Sequence, residues 1–487
     1  MPHVRTAGRA VANAGLRCES KDVMKLRRDR LIGALLSALI LAGSTCSYAI
    51  DKARYRDLSQ KLGEAAKKKD WQAARAILTE IGRELPAPTP RYLLSVATVE
   101  AKLGHKNEAL RWIQKYVATG LSFDPSKDED LKALMTETGG RVAFLMQERS
   151  LPVTNAEFVC ELPQTDTMPE DITYLKSADA KSAGSFYVSS IQHRTIYRVT
   201  LPGSLPKTGS RQCPMEELPL PAEAKRWPTL AVSADPRRKV LWLTASAMPG
   251  FSGFSKEDEG KAVLMEIDPA SGKVLHRFVP ETTGPTVLGD MCVTDQGTVY
   301  VTDSIGGGVY RLHGNLQTAK LEKIADGLFS PQTPVLSSDG KRLFVADYTM
   351  GIAVIDLPAA GAAPNLSAKL NYLPHPENVA VVGLDGLYRN GDSLIGIQNG
   401  TDPERILRFL MGPPQTEITG ADIIYRIGQL DPTHAVQVDG WFYATSHVGW
   451  SKVDDNTGQL KPGEKFTPPV LLRFTAEAPW HSKSTAR

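Results

Sequence analysis

From about residue 155 onward, short runs of β-branched and aromatic residues alternate with clusters of Gly, Pro, Asp and Ser. This is the pattern of many antiparallel strands separated by turns. Stacked on one another, the runs repeat as a short apolar strand, a turn, and an apolar strand ending in a small or acidic residue. Pro169-Glu-Asp-Ile172-Thr-Tyr leads to Phe186-Tyr-Val-Ser-Ser190, and Trp227-Pro-Thr-Leu230-Ala-Val leads to Leu241-Trp-Leu-Thr-Ala245. Leu288-Gly-Asp-Met291-Cys-Val leads to Val299-Tyr-Val-Thr-Asp303, and Pro331-Gln-Thr-Pro334-Val-Leu to Leu343-Phe-Val-Ala-Asp347. Leu384-Asp-Gly-Leu387-Tyr leads to Leu394-Ile-Gly-Ile-Gln-Asn399, and Pro432-Thr-His-Ala435-Val to Phe442-Tyr-Ala-Thr-Ser446. The six matching positions, 172, 230, 291, 334, 387 and 435, are 58, 61, 43, 53 and 48 residues apart. Most copies are followed by a further strand. Four strands per unit at about 50 residues predicts a mainly β fold, a six-bladed β-propeller over 151–478. Two strand-like segments outside the copies, Ala156-Glu-Phe-Val-Cys and Pro469-Val-Leu-Leu-Arg-Phe474, are expected to close the ring, one completing a blade begun by the other end of the chain.

The preceding segment, 50–150, has helical periodicity: Ala73, Ala76, Ile77 and Ile81, then Ala109, Trp112, Ile113 and Tyr116. The stretch Ala101-Lys-Leu-Gly104-His-Lys-Asn-Glu-Ala109 resembles the middle of a tetratricopeptide repeat, and Asp70-Trp-Gln-Ala-Ala74 repeats it with Lys69 in place of the Gly. Two such units and a closing helix around Asp128–Met135 are too few to stand alone. They are expected to lean on something else, either as a cap or spacer or as a surface for a protein partner.

Before residue 50 the pattern is different again. A basic run (Lys25, Arg27, Arg28, Arg30), a 13-residue apolar stretch from Leu31 to Gly43 and Ser47-Tyr-Ala49 form the layout of a secretory signal peptide cleaved after Ala49. Thirteen residues are too few to span a bilayer, which takes about 20. Either Met1 or Met24 serves as the start. Cys46 makes a lipoprotein the competing reading, although Thr45 precedes it where such signals place Gly or Ala. The chain is therefore expected in the periplasm or outside the cell, with 479–487 as a disordered tail and no membrane span once the leader is removed. Composition sharpens this. The net charge of +3 comes from 57 basic and 54 acidic side chains. Residues 1–49 hold eight of the basic and three of the acidic ones, so the remainder carries 49 against 51, a net of −2. Such a balance argues against broad nucleic-acid binding, which needs a basic stripe. Three cysteines remain after cleavage. Cys160 and Cys213 can pair in an oxidising compartment, the alternative being three buried thiols.

In a propeller the residues just before each first strand gather at one mouth of the channel. That rim is expected to include Glu170, Asp171, Asp290, Gln332, Asp385 and His434, with Asp303, Asp347 and Asn399 at the ends of second strands. Convergent carboxylates with Gln and Asn suit a hard divalent cation. Without one they raise each other's pKa. Asp303 and Asp347 also suit turns in which Asp accepts backbone N–H groups.

Pro-Glu-Asp-Ile172, Gly289-Asp-Met-Cys-Val-Thr-Asp-Gln-Gly297, Pro331-Gln-Thr-Pro-Val-Leu-Ser-Ser-Asp-Gly340 and Leu384-Asp-Gly-Leu resemble the regucalcin/gluconolactonase superfamily, with strictosidine-synthase-like propellers and paraoxonases as wider relatives. The resemblance covers about 155–475. It implies one divalent cation, calcium or zinc, at the channel mouth, polarising a lactone carbonyl for attack by water. Carried over, Glu170 takes the first-blade Glu slot, and Asp385 and Gln332 match a blade-opening slot. Asp290 is displaced by one residue, since Gly-Asp-Met stands where the family reads Asp-Gly-Met. No clean Asn-Gly pair opens a blade strand. The implied metal set is Glu170, Asp290, Gln332, Asp385 and Asn399, with Asp385 and His434 as catalytic groups and a lactone or other small polar molecule as ligand.

Three functions follow as expectations: a metal-dependent lactone or ester hydrolase, a non-catalytic binding or scaffold protein of the cell envelope, and a quinone-cofactor oxidoreductase. The last would need basic residues converging at the mouth, and only His193, Arg194 and Arg389 offer themselves. No GxGxxG after a strand, GxxxxGK[ST], HExxH or GxSxG is present.

Overall fold

The computed structural model describes residues 51–138, 140–177, 184–201, 212–358, 362–426, 430–454 and 457–477. The expected cleavage site at Ala49, the leader and the tail from 479 lie outside them. Six antiparallel sheets account for the strands. Their first strands are Ile172–Leu175, Thr229–Asp235, Leu288–Val293, Pro331–Leu336, Leu384–Asn390 and Ala435–Val438. The first five pack successively on one another around the channel, the sixth packs on the first, and Ala435 N of the sixth donates to the Tyr388 hydroxyl of the fifth at 2.7 Å. The first four blades run outward in chain order. Ring closure takes the form the two outlying segments suggested: the outermost strand of the sixth blade, Ala156–Glu161, comes from the start of the propeller and pairs with Val470–Phe474. A feature without a sequence signal is the fifth strand of the fifth blade, Val153–Thr154, paired with Glu417–Arg426.

The ring seam is also covalent. Cys160 on that closing strand is joined to Cys213, just before the outer strand Met215–Glu217 of the first blade. Cys292 is a free thiol, its pKa pushed up to about 12 by burial.

The inner strands share one irregularity. In blades two to five the register shifts between residues 229 and 232, 288 and 291, 331 and 334, and 384 and 386. A bulge of this kind adds a residue and re-aims the side chains around it. In bulged and unbulged blades alike, backbone N–H groups at this end of the inner strands are met by hydroxyls of the second strands. Thr244 Oγ1 accepts from Ala231 N at 2.9 Å and Ser189 Oγ from Asp171 N at 2.9 Å, with Thr302 and Thr445 bonding Asp290 N and His434 N at 3.4 Å. This is why small hydroxyl residues recur near the ends of the second strands.

Before the ring the described residues form the helices Lys52–Lys67, Trp71–Glu84, Pro90–Lys102, Lys106–Ala118, Glu129–Thr138 and Gly140–Ser150. Asp51 and Asp70 cap the first two, accepting from Arg54 N at 2.9 Å and Ala73 N at 3.0 Å. Gly104 closes the third-to-fourth turn at φ 78°, where other residues are strained, and Ala109 beyond it is fully buried. The helices do lean on the propeller. Leu58 and Ile81 share a core with Tyr300, Val309 and Leu328 of the third blade and Leu343 and Val345 of the fourth. Tyr55 stands edge-on to Phe329 at 5.2 Å, and Lys52 Nζ donates to the Leu328 carbonyl at 2.9 Å. Among the described residues no helix is long and apolar enough to cross a membrane.

Candidate functional site

A cavity of about 390 Å³ opens where the residues preceding the first strands meet the ends of the second strands. Five carboxylates line it, Glu170, Asp290, Asp385, Glu404 and Asp431, with Gln332, Asn399, Tyr348 and Trp450. Among the described residues no Lys, Arg or His lines it. The bulges explain how residues of adjacent inner strands reach the same space. Asp290, Gln332 and Asp385 all sit within them, and the one-residue displacement of Asp290 falls inside the bulge of its own blade.

Each acid is held differently. Asp385 Oδ2 accepts from Asn399 Nδ2 at 2.7 Å, and Asn399 in turn accepts from the Tyr348 hydroxyl at 3.0 Å and donates to the Pro432 carbonyl at 2.9 Å. Burial lifts the Asp385 carboxyl to about 7, His434 working against the rise and Asp290 with it. Glu170 accepts from Trp450 Nε1 and is raised well above the usual carboxylate range by burial and by Asp385. Glu404 receives Leu430 N and Asp431 N at 2.6 Å, both on Oε2, and burial lifts it to about 7. Asp431 accepts from Gly449 N at 2.6 Å. Gln332 donates to Ser330 Oγ at 3.1 Å.

His434 does not line this cavity, contrary to its expected place on the rim. It lies beneath, nearly fully buried, with Nδ1 2.9 Å from the Glu170 carbonyl and Nε2 2.9 Å from Asp290 Oδ2. A carbonyl oxygen only accepts, so Nδ1 carries a proton, and the carboxylate at Nε2 favours a second. Burial opposes that charge, but Asp290, Tyr388 and Asp171 outweigh it and hold the imidazole well above its usual pKa. Thr333 Oγ1, 2.8 Å from both Asp290 Oδ2 and the Asp385 carbonyl, completes a septum. Further along the first strands a second cavity of about 240 Å³ begins, and only Asp290 lines both.

Asp171, also expected on the rim, lines that second cavity instead. Its Oδ2 accepts from Val232 N of the next blade at 2.9 Å, and burial lifts it to about 6. Asp303 accepts from Val287 N, Ile305 N and Gly306 N, and Asp347 from Phe329 N, Ser330 N and Thr349 N, so both serve turns. Of the basic trio, Arg389 lines the second cavity, and His193 is engaged by the Tyr197 hydroxyl at 2.7 Å. Sequence reasoning missed Glu404, Asp431 and Tyr348, which stand on connections outside the repeating slots. Thr401-Asp402-Pro403-Glu404 carries no signal separating a site acid from a turn acid.

One oxygen or nitrogen from each of Glu170, Asp385 and His434 lies within 4.8 Å of the others, close enough to share a cation. Because both ring nitrogens of His434 already have partners, the carboxylates are the better ligands. Asp290 spends only Oδ2 on the septum.

No protein-family model and no curated protein matches the chain. Solved structures similar to it include regucalcin, a calcium-binding protein from Agrobacterium tumefaciens, at 14% identity and TM-score 0.43 over 65% of this chain and 93% of that one. A Xanthomonas campestris gluconolactonase is similar at 14% identity and TM-score 0.42, covering 66% and 90%. The PQQ-bound aldose sugar dehydrogenase of Streptomyces coelicolor follows at 13% and 0.40, covering 66% and 98%. Likeness of this order shows the fold alone.

Proposed function

We propose that the five-carboxylate cavity binds a divalent cation and, with it, a small polar ligand of the lactone or ester class, which it hydrolyses. The observation that carries this reading is the charge count: among the described residues five acidic side chains and no basic one line a single cavity, with His434 beneath them. Burial first, and then neighbouring carboxylates, raise Glu170, Asp385 and Glu404, a penalty that a bound counter-ion would offset. Glu170 and Asp385 are the ligands, aided by Asp290 and the Gln332 amide oxygen. Asn399 fixes the Asp385 carboxylate from behind, as outer partners of metal ligands do. A bound cation would supply Lewis-acid polarisation of the substrate carbonyl.

Glu404 takes the role of general base. Both its backbone donors fall on Oε2, which leaves Oε1 to accept a proton from water, and a carboxyl near 7 is matched to that task at neutral pH. His434 is a positioning residue: through Asp290 and the Glu170 carbonyl it holds two acids in place without touching the cavity. Export to an oxidising compartment fits the Cys160–Cys213 disulfide and the leader pattern of residues 25–49.

Calorimetric titration of the chain from residue 50 onward with calcium and with zinc, followed by a lactone-hydrolysis assay, tests the reading. Saturable binding is expected, lost in Glu170→Gln. Full cation affinity in that variant rejects the site, whereas binding without hydrolysis rejects only the activity.

A further inference from the structure

The fifth blade presents two buried arginines to the helical segment, and neither meets a carboxylate. Arg405 is 2% exposed and donates from Nη1 to the Gly120 carbonyl at 2.9 Å, from Nη2 to the Thr119 carbonyl at 3.3 Å and from Nε to Gln398 Oε1 at 2.6 Å. Gly120 is required there twice over, by its φ of 82° and because a Cβ would stand 2.6 Å from Arg405 Nη1. Arg426, 5% exposed, donates to the Leu151 and Glu148 carbonyls at 2.8 and 3.2 Å, and its Nη1 is buried with no partner. A third guanidinium, half-buried Arg149, has no partner for its buried Nε.

The carbonyls these arginines meet belong to the ends of the helices Lys106–Ala118 and Gly140–Ser150. A helix C-terminus offers roughly half a negative charge. Two of them supply about one against three guanidiniums, leaving an excess of about two positive charges. Among the described residues no carboxylate comes within 4.0 Å of any of the three. The imbalance is felt at Arg405, whose pKa is pulled down to about 9 by burial and then by Arg426 and Arg149. Arg149 and Arg405 line an open cavity of about 490 Å³ with Asn378 and Thr419. Among the described residues the one acid on its wall, Asp422, is taken by Arg408 at 2.7 Å.

We propose that this seam between the helical segment and the fifth blade is a binding site for a phosphate dianion, free or as a phosphomonoester, held by Arg149 and Arg405 with Arg426 adding charge. A dianion matches the excess charge, a guanidinium fork suits phosphate oxygens, and the cavity has room for more than the phosphate. The site is independent of the carboxylate cavity and would bridge two elements that also meet through Ala380 in the helical core and the Ser122 N to Asp402 carbonyl bond at 2.8 Å.

Arg149→Gln is the informative variant, because Arg149 caps no helix and its loss leaves the fold intact, which melting without phosphate checks. Isothermal titration of the whole chain with inorganic phosphate, glycerol phosphate and acetate at matched ionic strength is the measurement. Saturable phosphate binding is expected, at least about tenfold tighter than acetate and weakened at least about tenfold in Arg149→Gln. Tighter binding of glycerol phosphate assigns the site to a phosphomonoester, and equal binding to free phosphate. No saturable phosphate binding, equal binding of acetate, or undiminished binding in Arg149→Gln overturns the proposal.

Discussion

Asp385 is held at about 7 and Glu404 at about 7, and Glu170 is also raised, so at mildly acidic pH the cavity carries protons where a cation would sit. Groups whose folded pKa exceeds the unfolded one stabilise the fold below the unfolded value, near 4, and lose that contribution as pH rises through the folded value. The metal-free chain is therefore expected to lose stability between about pH 4 and about pH 7. A cation relieves the same repulsion, so the rise in melting temperature on adding calcium should be larger at pH 8 than at pH 5.5. A constant or inverted calcium effect across that range contradicts the cation reading. Asn399 offers a second test at this scale. Replacing it by Leu removes the amide that steadies Asp385 and should weaken cation binding by about 10–100-fold with little change in secondary structure.

At the scale of elements, the helical segment behaves as part of the propeller's core. Leu58 is 1% exposed between helix and blades, and Leu58→Ala should cost about 2–5 kcal/mol, read as one cooperative unfolding shifted as a whole. Separate melting of helices and ring would contradict it. The repeat that reveals the blades was legible because each inner strand keeps its apolar positions for packing between sheets. The site was legible only in part, and for a physical reason. Alternation predicts which way a strand residue points, and a bulge in the inner strand breaks alternation at Asp290, Gln332 and Asp385. Slot matching therefore found those three residues. It also set Asp171 and His434 on the rim, although Asp171 lines the second cavity and His434 lies in the septum. Glu404 and Asp431 lie on irregular connections, where no period exists to mark them.

For the whole molecule, closure of the ring depends on a strand far away in sequence. Without Ala156–Glu161 the sixth blade would expose the edge of Val470–Phe474. Deleting 153–161 should therefore give concentration-dependent association, visible by light scattering, as open strand edges do. The Cys160–Cys213 disulfide closes a loop with a sequence separation of 53. By loop entropy its removal in Cys213→Ser should cost about 4 kcal/mol, measured by denaturant unfolding. Its larger consequence is one of timing. The closing strand is made first, and its partner begins at Val470, about 300 residues later, or about 15–60 s at ordinary synthesis rates. Cys213 follows Cys160 by 53 residues, about 3–11 s at the same rates. Once formed, the disulfide ties the strand to the first blade, beside the seam it fills.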